Sequence, residues 1–171
     1  MIIKNQLTQA GKNLIQAIKH LEDKSVKVGW FEKSEYANGT KVALVAAQNE
    51  YGNPRKRIPA RPFMRPTVME YQNQWKKLVE DGSKKVIKGS LNLNQVLDLL
   101  GFSAESDIKK TIKKIYYPAL AEKTVLNRIN RNKNLSSKKG RLSEQNIGNV
   151  TKPLIDTGIM FNTITHEVSN E

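Results

Sequence analysis

The chain predicts an α+β fold: a small, mostly antiparallel sheet with its N- and C-terminal strands paired, packed against several helices, with a helical middle lobe and a long basic loop. Three observations predict it. Apolar residues recur at helical spacing through the middle of the chain, period-two alternation marks 25–32 and 164–168, and no repeat of solenoid length is present. A length of 171 residues suits a single domain, 1–171, with a core of ordinary size.

Ile3, Leu7, Ala10, Leu14, Ile18 and Leu21 follow one another at intervals of three and four, which predicts an amphipathic helix over 3–23. In 25–32, Val26, Val28 and Trp30 alternate with Lys27, Gly29 and Phe31, the pattern of a half-buried strand. EYANGT, 35–40, reads as a turn around Asn38-Gly39, and KVALVAAQNEYG as a helix stopped by Gly52, with a buried strand as the competing reading of VALVAA. Pro66 suits a first helical turn, and Val68, Tyr71, Trp75, Leu78 and Val79 carry that helix to about Lys88, with Gly82 a weak point. Residues 89–131 form the helical subregion. Asn92 and Gln95 make a capping pair for a short helix, 93–100, closed by Gly101, and Ser103 caps a second, 104–117, ended or kinked by Pro118. A third helix is predicted over 119–131. Asn132 to Thr151 is rich in Asn, Ser, Lys and Gly and reads as a loop, either mobile or ordered by a partner. Ile164, His166 and Val168 then alternate as a final strand that returns to pair with 25–32.

Composition narrows the function. Only 38% of residues are hydrophobic and 6% aromatic, which is lean for a self-sufficient core and consistent with burial against neighbouring copies. A formal charge of +13 favours a polyanionic partner: nucleic acid, an anionic membrane surface or an acidic protein face. Without cysteine there is no disulfide, thiolate metal site or cysteine nucleophile. The N-terminus lacks the apolar run of a signal peptide, and VALVAA, 42–47, is far too short to span a bilayer, so folding in the cytoplasm of the producing cell and no membrane partner are expected.

Catalytic signatures are missing. His20 and His166 have no Asp or Glu at metal-ligand spacing, and phosphate loops, nucleophile elbows and zinc patterns do not occur. Glu50 and Asp156 stand near glycines as helix-end or turn partners, and Asp156-Thr157-Gly158 reads as a turn or cap, since a protease would need two such carboxylates face to face. The expectation is a non-enzyme with no catalytic residue, metal or cofactor.

Charge is regional. Between Lys109 and Arg141 stand eleven basic residues against one acid, Glu122. Lys109 and Lys113, and Arg128 and Arg131, sit at helical near-neighbour spacing, and with Lys138, Lys139 and Arg141 they form a candidate DNA-facing set making sequence-neutral phosphate contacts. Tyr116 and Tyr117 are the only aromatics nearby, too few for stacking on bases. A second basic focus is YGNPRKRIPARPFMRP, 51–66, where four of the six prolines and five cations share sixteen positions.

IPARPFMRPT at 58–67, after a helix ending NEYG at 49–52, with PALAEKTVLNR at 118–128 and KPLIDTGIMFNTITHEV at 152–168, resembles the neck or tail-completion proteins of tailed bacteriophages. The resemblance covers nearly the whole chain. It implies a non-enzymatic virion component made in the host bacterial cytoplasm, assembling with itself as a ring in the neck, between head connector and tail, around the DNA path. Its partners would be adjoining head-connector and tail-terminator or tail proteins, with non-specific contact to genomic DNA. In that role Ile58 and Phe63 would anchor the elbow, leaving Arg55, Arg57, Arg61 and Arg65 outward; Arg55, Arg57, Arg61, Phe63 and Arg65 form the candidate interface. A tail terminator or minor tail protein is the alternative within phage, and a free cytoplasmic nucleic-acid-binding protein the alternative outside it.

Overall fold

A computed structural model describes residues 24–139 and 150–170, together with Thr8, Gly11, Lys12 and Ile15; for 132–139 it describes the backbone only. The helix predicted over 3–23 therefore lies mostly outside the described residues. Within it, Gly11, Lys12 and Ile15 are helical, and the Thr8 hydroxyl accepts from the Gly11 N–H at 3.3 Å.

The ordered elements are β1 (Lys24–Gly29), α1 (Val42–Tyr51), a 3-10 turn (Pro54–Lys56), α2 (Met64–Ile87), α3 (Leu93–Lys114), α4 (Glu122–Lys139), α5 (Ile159–Asn162) and β2 (Thr165–Asn170). The α+β expectation is met: β1 and β2 form a two-stranded antiparallel sheet from the two ends of the chain. The chain divides into two compact units. A sheet unit comprises Met1–Gly29, Met69–Ser106 and Thr165–Glu171, and an elbow unit comprises Trp30–Val68 and Asp107–Ile164.

In the sheet unit, Val26 pairs with Val168 and Val28 with His166, while Lys27 and Glu167 pair on the exposed face. Directly opposed residues share a face, so the alternation that predicts each strand also sets their register. Tyr71 of α2 and Val96, Leu97 and Ala104 of α3 are buried. The capping pair forms as expected, Asn92 N–H donating to Gln95 Oε1 and Gln95 N–H to Asn92 Oδ1, both at 2.9 Å.

Gly101 does not close a helix. α3 runs unbroken from 93 to 114, replacing the two predicted helices, and ends three residues short of Tyr117. The reason for the glycine is proximity: a Cβ there would stand 2.2 Å from His166 Cδ2. The imidazole lies close against the bare backbone, Phe102 meets it edge-on with ring centroids 4.5 Å apart, and its Nδ1 lies 2.5 Å from Glu105 Oε1. α2 likewise continues through Gly82.

In the elbow unit VALVAA is helical, not a strand. The core gathers Val42, Ala46, Phe63, Ile108, Ile112, Leu154, Met160 and Ile164. Trp30 packs edge-on against Phe63 with ring centroids 5.7 Å apart, and its indole N–H donates to the Met160 carbonyl at 2.7 Å. Thr67 is buried; its hydroxyl bonds the Phe63 carbonyl at 2.6 Å and lies 2.7 Å from that of Thr111. α4 starts later than predicted and reaches Lys139, so the first part of the loop assigned to 132–151 is helix. Once a helix is nucleated, each further residue adds a backbone bond at little cost, and a polar run can propagate it. Residues 140–149 of that loop lie outside the described residues.

Candidate functional site

The elbow begins where α1 stops. Gly52, at φ 77° and ψ 167°, takes a positive-φ extended conformation open to glycine and turns the chain out of the helix, and a Cβ there would stand 2.8 Å from the Ala60 N and 3.1 Å from the Ile58 carbonyl. Close return of the chain is what excludes a side chain. Asn53 and Ile58 exchange N–H to carbonyl bonds at 2.8 and 2.9 Å, pinching off the 3-10 turn. Pro54 opens that turn, and Arg57, at φ 55°, closes it with its N–H on the Pro54 carbonyl. Arg55, Lys56 and Arg57 are left exposed on a short, stiff tip.

Past the tip, two segments are tied by one carboxylate. Helix α2 opens with N–H groups that have no carbonyl a turn earlier to bond. Glu50, 4% exposed, supplies it: Oε2 accepts from the Phe63 and Met64 N–H at 2.6 and 2.9 Å, and Oε1 from the Arg65 N–H and Nε at 3.3 and 3.0 Å. Burial alone would raise this carboxyl group's pKa. The Phe63 and Met64 N–H groups, with the Arg65 side chain and backbone, outweigh burial and hold it below the usual carboxylate value. The rest of Arg65 is exposed, its guanidinium carbon 5.3 Å from the centre of the Tyr51 ring.

Two arginines perform the complementary task of gathering carbonyls. Arg61, 4% exposed, donates from Nε to the Pro118 carbonyl at 2.6 Å and from Nη2 to that of Ala119 at 3.0 Å. Arg128, 8% exposed, donates from Nη1 to the Lys152, Val150 and Ile155 carbonyls at 2.7, 3.2 and 3.3 Å, and from Nη2 to Pro153 at 3.4 Å. Asp156 lies 3.3 Å from Arg128 Nε and also pairs with Arg131. Burial lowers the pKa of both buried guanidinium groups; nearby Arg128 adds to this at Arg61, and at Arg128 Asp156 opposes it while Arg131 adds. Two like charges are thus held in one neighbourhood by backbone oxygens.

An open cleft of about 880 Å³ lies within the elbow unit, walled by Tyr36, Ile58, Arg61, Leu120, Arg128 and Met160 among others. Burial raises the Tyr36 hydroxyl pKa, and the Asp156 charge raises it further. Asp156-Thr157-Gly158 forms the turn into α5, with Thr157 Oγ1 accepting from the Ile159 N–H at 3.4 Å, as a turn or cap reading expects. Among the described residues no histidine lines the cleft.

Among the predicted interface residues, Arg55, Arg57 and Arg65 are exposed, but Arg61 is not outward: its donors are drawn inward by the Pro118 and Ala119 carbonyls. Phe63 is fully buried, packed as core. Of the predicted DNA-facing set, Arg128 is withdrawn from any phosphate, because its guanidinium is buried and bonded to the 150–155 backbone. Arg131 pairs with Asp156, Lys109 is half-buried, and Lys113 is exposed with its ammonium 5.2 Å from the centre of the Phe161 ring. Lys138 and Lys139 are on α4, their side chains outside the described atoms, and Arg141 lies outside the described residues.

Sequence reasoning missed the carbonyl-gathering roles, whose partners lie 22 to 58 positions away and leave no local period. Glu50 had a signal, an acid one residue before an aromatic-glycine helix end. His166 also acquires company that spacing could not show, with Glu105 at 2.5 Å and Asp98 at 3.6 Å. No protein-family model, curated protein or solved structure matches the chain.

Proposed function

We propose that this chain is a structural virion protein of a tailed phage, self-associating as a ring in the neck that joins head connector to tail and surrounds the DNA path. One observation carries the reading: the separated segments that bear the resemblance are bonded to one another. NEYG and ARPF meet through Glu50, ARPF meets the start of PALAEKTVLNR through Arg61, and the end of that segment meets KPLIDTG through Arg128. A pattern whose pieces interlock behaves as one motif, not as four coincidences.

Chemistry adds support. The motif's conspicuous charges, Glu50, Arg61 and Arg128, satisfy backbone groups, a use suited to a rigid docking shape. The same unit presents Leu44, Tyr51 and Tyr117 to solvent, with Tyr117 85% exposed, alongside the Arg55–Arg57 tip. Aromatic residues and arginine together are the usual composition of interface anchors.

The decisive experiment is imaging of phage particles lacking the protein. Separated, DNA-filled heads and free tails are expected; intact infectious particles in the deletion would overturn the proposal. Portal, connector and tail-tube genes should flank the gene.

A further inference from the structure

We infer that the cleft of the elbow unit binds an extended acidic peptide segment of a partner protein, reading carboxylates with its exposed cations and aliphatic side chains with its apolar lining residues. This goes beyond the neck proposal and stands on the cleft alone.

Its volume, about 880 Å³, falls within the roughly 300–1,000 Å³ typical of sites that enclose a ligand. Among the described residues five cations line it, Lys56, Arg57, Arg61, Arg128 and Arg131, against one carboxylate, Asp156, which Arg128 and Arg131 share. Like charges concentrated in a concave, partly desolvated site focus a positive potential that an anion relieves. Donors remain for it. Lys56 and Arg57, both exposed, supply them with an ammonium and a guanidinium fork.

The remaining wall selects among anions. Val45, Ile58 and Leu120 offer aliphatic surface, and Tyr36 is the one aromatic among the described lining residues, too few for successive bases to stack on. An extended peptide turns alternate side chains to opposite sides. Acids alternating with leucine or isoleucine would therefore offer partners to both the cationic and the aliphatic lining residues, which a phosphodiester strand cannot do.

The test is fluorescence anisotropy on the full chain with a labelled eight-residue peptide alternating Glu and Leu. Micromolar binding is expected, weakened roughly tenfold or more when the peptide's Glu are replaced by Gln. The paired change Arg57→Gln and Arg131→Gln should weaken it by about as much. Neither of those side chains gathers backbone carbonyls in the described structure, so the variant is expected to keep its circular dichroism spectrum. Lys76→Gln with Lys77→Gln removes equal charge from exposed positions of the sheet unit and should shift binding by less than about twofold. Equal losses in both paired variants would mean diffuse electrostatics and overturn the inference. A single-stranded oligonucleotide that binds more tightly than the peptide and depends on Arg57 and Arg131 would overturn it in favour of nucleic acid. Failure here would leave the phage-imaging result untouched, and a failed imaging result would leave this site standing.

Discussion

The two units solve the problem of buried backbone differently. In the sheet unit, strand ladder and helices satisfy their own N–H and carbonyl groups, and packing is set by close approach, as where His166 meets Gly101. In the elbow unit, irregular segments at 52–63, 115–121 and 150–158 cannot do this alone, and buried side-chain charges complete them: one carboxylate for N–H groups, two guanidinium groups for carbonyls. Charged donors and acceptors make stronger, more directional bonds than neutral ones, but removing one strands every group it served. Prolines and tight turns can thus be held rigidly, with high sensitivity to single substitutions.

The largest expected effect breaks this contrast at Arg128. Arg128→Met keeps much of the side-chain volume but orphans carbonyls at Val150, Lys152, Pro153 and Ile155, and should cost about 4 kcal/mol in denaturant unfolding. Glu50→Ala follows, at about 3 kcal/mol, since the Phe63 and Met64 N–H groups lose their acceptor. Acid sharpens the point. Because Glu50 titrates below its ordinary value of 4.5 when folded, its contribution is complete above that value and disappears as pH falls through the lower folded pKa. The stability gap between the unsubstituted chain and Glu50→Gln should therefore narrow below about pH 4.5; a gap constant down to pH 2 would contradict the assignment.

In the sheet unit the sensitive position is steric. Gly101→Ala should cost about 2 kcal/mol, measured by thermal unfolding, because the imidazole must move to admit a methyl group. A neutral or stabilising result, as helix propensity alone would give, would show that His166 yields easily. Least affected should be Lys113→Gln, which gives up only a contact with the Phe161 ring and should change stability by under about 0.5 kcal/mol.

What was legible in the sequence was whatever has a local signature. Period-two runs at both ends announced the strands and their pairing, Asn92 and Gln95 announced a cap, and Gly52 announced a helix stop. The errors came where one residue type serves two physical ends. Gly101 reads as a terminator by rule, yet its purpose is to make room for a ring 65 positions away, and only folding reveals it. Polar composition made 132–139 look like loop although α4 propagates through it. Among the site residues, Arg55, Arg57 and Arg65 were read correctly as exposed, whereas Arg61 and Arg128 look identical to them in sequence and differ only in what surrounds them.

Buried charge holds the elbow closed, and amide hydrogen exchange at Phe63 and Met64 tests this most directly. Both amides should be strongly protected in the unsubstituted chain at neutral pH, and Glu50→Gln should speed them roughly tenfold beyond any change at Val96, whose N–H bonds the Asn92 carbonyl. If both exchange freely before any substitution is made, Glu50 does not hold the elbow and the account is wrong.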